Sequence, residues 1–195
     1  LIIRVLWDQR GNGDSVLYEV LPDNDTTKLA NYKDRLNEKM WIQGEVDMGS
    51  PQTLLNFITT TRTALPATHY LLSIVDHGGG WSPELRDSQK SLARYAAGAS
   101  GLSWDENNNS YLSTRDMGIV FQDQNLRDDP LDIVFYDACL MSMIEEIFEI
   151  YNGANYLLAS QYETWTSFPY DEYLVGIQKR SPKDQLVWMV DKYYA

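Results

Sequence analysis

Residues 70–80 read Tyr-Leu-Leu-Ser-Ile-Val-Asp-His-Gly-Gly-Gly, and residues 131–139 read Leu-Asp-Ile-Val-Phe-Tyr-Asp-Ala-Cys. Each stretch is a short, largely apolar run that passes abruptly into polar or turn-forming residues, which predicts a strand buried on both faces. Residues 52–65 and 140–151 carry apolar side chains at helical spacing. Buried strands that alternate with helices predict an α/β fold, a three-layer sandwich in which a mostly parallel sheet is flanked by helices.

The remaining segments extend this pattern. Apolar runs at residues 1–7, 16–21 and 156–159 predict further strands, and residues 114–124 predict a helix. Residues 82–110 are polar and irregular. Within them we interpret Asp105-Glu-Asn-Asn-Asn109 as a solvated loop, and His69, which precedes its strand, as a surface residue.

Length and composition exclude several classes of protein. The chain has 195 residues, of which 44% are hydrophobic, and this favours one folded domain over residues 1–195. A net charge of -12 opposes binding to nucleic acid. A single cysteine and two histidines exclude an internal disulfide and a four-ligand Cys/His zinc site. No run approaches the roughly 20 apolar residues of a transmembrane segment. The chain opens on Leu1 inside an apolar run, so we expect a domain that is incomplete at both ends.

The strand ends carry the candidate chemistry. His77 and Cys139 follow two predicted parallel strands, whose carboxyl ends meet at one edge of the sheet. An imidazole beside a thiol forms a nucleophile with its general base. Because Cys139 stands where a strand passes into the predicted helix 140–151, we also expect the helix dipole to favour the thiolate.

Two neighbouring features fit peptide chemistry. The glycines after His77 permit close approach of a substrate, and the amide of Gly78 could point at a developing oxyanion. Asp137 lies two residues before Cys139, where its carboxylate could pair with an Arg or Lys of a substrate.

Two other interpretations remain open at this point. Asp8, Asp76 and Asp137 all end strands, and three carboxylates at one sheet edge could bind magnesium for a hydrolase. Alternatively, Cys139 is an ordinary buried cysteine in a non-catalytic module that binds basic peptides.

The two strand-end motifs resemble the clostripain family of cysteine peptidases, which shares its fold with caspases, gingipains and legumains. Tyr70-Leu-Leu-Ser-Ile-Val-Asp-His-Gly-Gly-Gly-Trp81 and Asp132-Ile-Val-Phe-Tyr-Asp-Ala-Cys-Leu-Met141 form the paired signature. Residues 44–51 and Ala159-Ser160-Gln161 give weaker support, so the resemblance covers roughly residues 40–170.

The resemblance implies a caspase-like peptidase domain and a role for each site residue. Cys139 would be the nucleophile and His77 the general acid and base, with the amides of Gly78 and Cys139 as oxyanion donors. Asp137 would recognise Arg or Lys before the cleaved bond, and Ser160 and Gln161 would contact substrate. The expected partner is a peptide or protein substrate with basic residues.

The resemblance also implies features beyond the chemical step. Family members commonly mature by self-cleavage between the histidine and cysteine strands, where Lys90 and Arg94 are the candidate sites in the 82–110 loop. No cofactor is required, although some members need calcium, and family members are expected to be secreted or in the cell envelope. Two departures are Ser142, where many members have glycine, and residues 162–168, which wall the specificity pocket in relatives.

Overall fold

A computed structural model describes residues 1–20, 40–80, 101–164 and 168–195 of the chain. The strands within these ranges are β1 (Ile3–Trp7), β2 (Ser15–Val20), β3 (Met40–Gly44), β4 (Leu71–Val75), β5 (Leu102–Asp105), β6 (Ser110–Leu112), β7 (Leu131–Asp137) and β8 (Ala154–Leu158). The helices are α1 (Pro51–Ala64), α2 (Thr114–Phe121), α3 (Gln124–Asp128), α4 (Ile144–Ile150), α5 (Tyr170–Leu174) and α6 (Pro182–Tyr193). None of the helices in these ranges has the length and apolar character needed to cross a membrane.

The central sheet has the order β4-β7-β8, and both of its strand pairs are parallel. In the β4–β7 pair, Leu71 lies opposite Ile133 and Val75 lies opposite Asp137. The two strands therefore end side by side. This arrangement confirms the predicted parallel sheet flanked by helices.

The side chains of β7 alternate between two apolar layers, as the period of a strand requires. Val134 and Tyr136 join the larger core, to which α1, α2 and the hairpin β5-β6 contribute. Phe135 faces the opposite layer, where it packs with Tyr173 of α5 and Met189 of α6. Helices therefore cover both faces of the sheet, which makes the fold a three-layer sandwich.

The larger core encloses one carboxyl group. The Tyr136 hydroxyl donates a 2.9 Å hydrogen bond to Glu146 of α4, and Glu146 is only 1% exposed. Burial raises the pKa of Glu146, and the hydrogen bond from Tyr136 offsets part of that effect.

The first strands do not belong to the parallel sheet. β1, β2 and β3 form an antiparallel meander in which Ile3 lies opposite Val20. Asp8, at the end of β1, therefore does not share the sheet edge at which β4 and β7 end. The expectation that Asp8, Asp76 and Asp137 would meet there is wrong, because apolar composition predicts a strand but not the direction of its pairing.

Two further expectations about local structure are corrected. The segment 82–110, taken as irregular, includes β5 and the first residue of β6. Asp105 at the end of β5 is 3% exposed rather than solvated, whereas residues 106–109 are exposed as predicted. The helix expected over 140–151 spans only Ile144–Ile150. Leu140 has a left-handed φ of 60°, and a residue in that conformation cannot begin a right-handed helix.

Candidate active site

The site lies at the carboxyl edge shared by β4 and β7. The amide of Asp76 donates a 3.2 Å hydrogen bond to the Asp137 carbonyl, so the two chains remain paired as the strands end. His77 and Cys139 each follow the Val75–Asp137 pair by two residues. The topology thus brings the predicted imidazole and thiol segments to one edge, with His77 exposed and Cys139 half-buried.

Gly78 allows the histidine and cysteine segments to touch. A Cβ built on Gly78 would lie 2.2 Å from the Cys139 carbonyl oxygen and 3.0 Å from the Ala138 Cβ. No larger residue fits without moving one of the segments. The glycine after the histidine is therefore required by the close approach of the two chains.

The hairpin β5-β6 supports the glycine turn. The Gly79 amide donates a 2.9 Å hydrogen bond to the Gly101 carbonyl, and the Gly101 amide donates one to the Gly80 carbonyl. Gly78 itself pairs with Leu102 of β5 in an isolated antiparallel bridge, so the whole turn lies against the start of the hairpin.

Asp76 joins the end of β4 to the hairpin. Its carboxylate accepts a hydrogen bond from the Trp104 amide, which fastens β5 to the end of β4. Burial raises the pKa of Asp76, and the backbone amides of His77 and Trp104 oppose that shift. The side chain therefore anchors the hairpin.

Asp137 is held by a tyrosine. The Tyr170 hydroxyl donates a 2.7 Å hydrogen bond to Asp137 Oδ2, and Ser73 Oγ lies 3.1 Å from the same hydroxyl. Burial raises the pKa of Asp137, whereas the bond from Tyr170 lowers it. Among the described residues, no hydrogen bond occupies Asp137 Oδ1. Burial together with Asp137 raises the pKa of Tyr170, so its hydroxyl keeps its proton as a donor.

The thiol contacts a residue that sequence reasoning missed. Cys139 Sγ accepts a 3.3 Å hydrogen bond from the Thr164 amide, and the Thr164 hydroxyl lies 3.5 Å from the same sulfur. The predicted effect of a helix dipole on the thiol is wrong. Helix α4 begins five residues after Cys139, and the dipole acts only within the first turn.

The segment 160–164 runs beside the turn that carries Cys139 and forms a wall of the site. The Ser142 amide donates to the Ser160 carbonyl at 3.0 Å, and the Leu140 amide donates to the Tyr162 carbonyl at 3.3 Å. The Ser160 hydroxyl donates to the Tyr162 carbonyl, whereas Gln161 is exposed. Both residues proposed to contact substrate therefore lie on this wall.

The other candidates lie elsewhere. Lys90 and Arg94 lie outside the described residues. His69 is an exposed residue whose Nδ1 is 3.1 Å from Asp132 Oδ1, in agreement with the predicted surface position.

A group of three acids forms away from the thiol. Asp8, Glu45 and Asp105 each offer a carboxylate oxygen, and these oxygens lie within 4.8 Å of one another. Neither Asp76 nor Asp137 belongs to such a group among the described residues. The magnesium centre built on Asp8, Asp76 and Asp137 is therefore not supported. Hydrogen bonds from the Met48 amide and from Asn108 already engage Asp105.

Comparison with known proteins gives consistent matches. A model of the clostripain family matches residues 6–195. Clostripain of Hathewaya histolytica is 29% identical over 137 residues, which are 66% of this chain and 24% of that protein.

Two solved structures share the fold. A secreted C11 cysteine protease from Bacteroides thetaiotaomicron, in complex with an irreversible peptide inhibitor, has a TM-score of 0.69 and 19% identity. An inactive zymogen C11 protease from Parabacteroides distasonis has a TM-score of 0.64 and 18% identity. Each comparison covers 99% of this chain and 47% of the other, so this chain spans about half the length of those structures and a quarter of the curated relative.

Proposed function

We propose that this chain, which belongs to the clostripain family, carries the catalytic centre of a cysteine endopeptidase that cleaves after Arg or Lys. The observation that carries the proposal is the register of β4 and β7, which places His77 and Cys139 at equivalent positions beyond one residue pair. Because Gly78 has no side chain, it permits the close approach of these two segments.

In the proposed reaction, Cys139 Sγ attacks the carbonyl carbon of the peptide bond and forms a tetrahedral oxyanion. The amides of Gly78 and Cys139 stabilise that oxyanion, and His77, which has taken the proton of the thiol, gives it to the departing amine. Collapse leaves a thioester on Cys139. Water activated by His77 then hydrolyses the thioester and releases the carboxylic acid. The dyad requires no metal, because a thiol ionises near neutral pH without one.

Asp137 is the proposed specificity residue. Its carboxylate lies two residues before the nucleophile, and Tyr170 occupies Oδ2 alone among the described contacts. Oδ1 can therefore receive the guanidinium or ammonium group of a substrate side chain. Ser160 and Gln161, on the neighbouring wall, would line the path of the substrate.

Covalent labelling tests the proposal. The natural full-length protein is treated with a peptidyl acyloxymethyl ketone ending in Arg, and the modified residue is located by mass spectrometry. We expect one adduct on Cys139 and slower labelling of His77→Ala. The same probe ending in Asp is the control. Absence of an adduct on Cys139, or equal labelling by both probes, would contradict the proposal.

We also propose self-cleavage between the histidine and cysteine strands, at Lys90 or Arg94. The support is the basic specificity that Asp137 would confer. Intact mass is measured after incubation of the parent protein and of Cys139→Ala. Two fragments from the parent alone are expected, and identical masses of the two proteins would reject the hypothesis.

The second candidate function is a module that binds basic peptides without cleaving them. The burial of Asp137 beside Tyr170 favours recognition of a cation even without turnover. Binding of an Arg peptide with the peptide recovered intact would favour this candidate. Cleavage that Cys139→Ala abolishes would exclude it.

Two further properties are the need for calcium and the cellular location of the protein. The need for calcium stays a prediction from the family resemblance, and the cleavage rate with and without a chelator tests it. We also propose that the protein acts outside the cytoplasm, because one solved relative is described as secreted. Fractionation of the producing cells tests this.

A further inference from the structure

The wall segment and the nucleophile turn form a short antiparallel ladder. Its two backbone hydrogen bonds join Ser142 to Ser160 and Leu140 to Tyr162, so the two segments run in opposite directions. Thr164 occupies the next step. There its amide donates to the sulfur of Cys139 at 3.3 Å rather than to a backbone carbonyl.

This ladder fixes the Thr164 side chain at the thiol. The Thr164 hydroxyl oxygen lies 3.5 Å from Cys139 Sγ. Either group can donate while the sulfur keeps its proton. Once the sulfur is a thiolate it can only accept, so the hydroxyl must be the donor.

We propose that Thr164 is a further catalytic residue, whose hydroxyl donates a hydrogen bond to the Cys139 thiolate that attacks the substrate. The inference rests on the proposed peptidase function and adds a residue to its machinery. The backbone amide of Thr164 positions the hydroxyl, and the side chain supplies the second donor.

The charges around the sulfur explain why such a donor matters. Asp76 and His77 lie at the end of β4, Asp137 ends β7, and Glu163 precedes Thr164 on the wall. His77 is the one basic group among these four residues. Helix α4 begins too far away to help. Donors to the sulfur must therefore supply part of the stabilisation of the thiolate.

The Thr164 hydroxyl acts at one stage of the proposed reaction, before the sulfur attacks the substrate. A hydrogen bond to a charged acceptor is stronger than one to a neutral acceptor, so the contact favours the ionised sulfur before attack. When the thioester forms, the sulfur loses its charge and the contact weakens. The hydroxyl thus stabilises the nucleophile without holding the acyl-enzyme.

Alkylation of Cys139 by iodoacetamide tests the role without requiring peptide turnover. The rate is measured at pH 6 and at pH 9 for the natural full-length protein, Thr164→Val and Thr164→Ser. Valine keeps the shape and the amide but removes the hydroxyl. We expect the ratio of the pH 6 rate to the pH 9 rate to fall about 3- to 10-fold in Thr164→Val. Thr164→Ser should keep the parent ratio.

The outcomes separate this inference from the proposed function. A parent ratio in a folded Thr164→Val protein would overturn the inference even if the protein is an active peptidase. If no variant cleaves peptides but Thr164→Val shows the lower ratio, the hydrogen bond is established and the peptidase proposal fails. An equal fall of the rate ratio in Thr164→Ser and Thr164→Val would show that packing, not the hydroxyl, causes the effect. This result would also overturn the inference.

Discussion

The Tyr170 hydroxyl donates a 2.7 Å hydrogen bond to Asp137, although 33 residues separate them in the chain. Ser73 of the neighbouring strand lies 3.1 Å from the same hydroxyl, so the tyrosine links helix α5 to two central strands. This arrangement fixes the orientation of the carboxylate proposed to select basic substrates. The first prediction follows from it.

Tyr170→Phe should weaken recognition of basic substrates. Loss of a hydrogen bond to a charged group costs about 1.5–3 kcal/mol. The variant loses this bond in the free enzyme as well as in the complex with substrate, so only part of the cost lowers kcat/KM. We expect kcat/KM for Arg and Lys peptides to fall about 5- to 30-fold, mainly through a higher KM. Tyr173→Phe is the matched control, because Tyr173 packs on the same Phe135 ring without a hydrogen bond to Asp137 among the described residues. Equal losses in both variants, or equal losses for Arg and Ala peptides, would contradict the prediction.

The pH dependence should differ between substrates. Burial raises the pKa of Asp137 above its usual 3.8, so the carboxylate becomes neutral at a higher pH than an exposed aspartate does. As the pH falls through that pKa, cleavage of an Arg peptide should decline relative to an Ala peptide. Tyr170→Phe removes a bond that lowers this pKa, and should move the decline to higher pH. The ratio of the two kcat/KM values across pH is the measurement, and a constant ratio would reject the role of Asp137.

Gly78→Ala should damage the site more than an alanine at a comparably crowded glycine elsewhere in the fold. The added Cβ would meet the Cys139 carbonyl at 2.2 Å and separate the histidine and cysteine segments. A displacement of about 1 Å can cost about 100-fold in rate. Gly153→Ala is the control, because its Cβ would meet the Phe121 carbonyl at 2.7 Å, away from the catalytic edge. Both variants should lose stability, but only Gly78→Ala should lose kcat/KM per folded molecule.

Glu146→Gln should change the pH dependence of stability. Burial raises the pKa of Glu146 above its value of 4.5 in an unfolded chain. Between pH 4.5 and the raised pKa the folded state holds more protons, so the free energy of unfolding of the parent falls as pH rises. Glu146→Gln has no such carboxyl group, so its free energy of unfolding should rise relative to that of the parent from pH 5 to pH 8. Urea unfolding across this pH range is the measurement. Glu145→Gln, on the same helical turn, should not show this gain.

The paired motifs predicted the parallel strands and the sheet edge at which His77 and Cys139 lie. Two apolar runs that end in His77 and Cys139 predict strands by composition, and parallel pairing brings their ends together. The meander β1-β2-β3 could not be predicted in this way, because an apolar run does not specify its partner or its direction.

The residues that support the site were not predictable from local patterns. Thr164 and Tyr170 follow Cys139 and Asp137 by 25 and 33 residues, and they reach the edge only through tertiary packing. The start of α4 was misplaced for a related reason. Apolar spacing is continuous from residue 140, but the amides of Leu140 and Ser142 bond to the wall segment instead of opening a helix.

Hydrolysis of matched fluorogenic peptides is the most direct test of the central claim. Peptides ending in Arg, Lys, Asp or Ala are offered to the natural full-length protein and to Cys139→Ala, with and without chelator. We expect cleavage after Arg and Lys by the parent and none by Cys139→Ala. Undiminished cleavage by Cys139→Ala, or no cleavage of any peptide by the folded and fully processed parent, would contradict it.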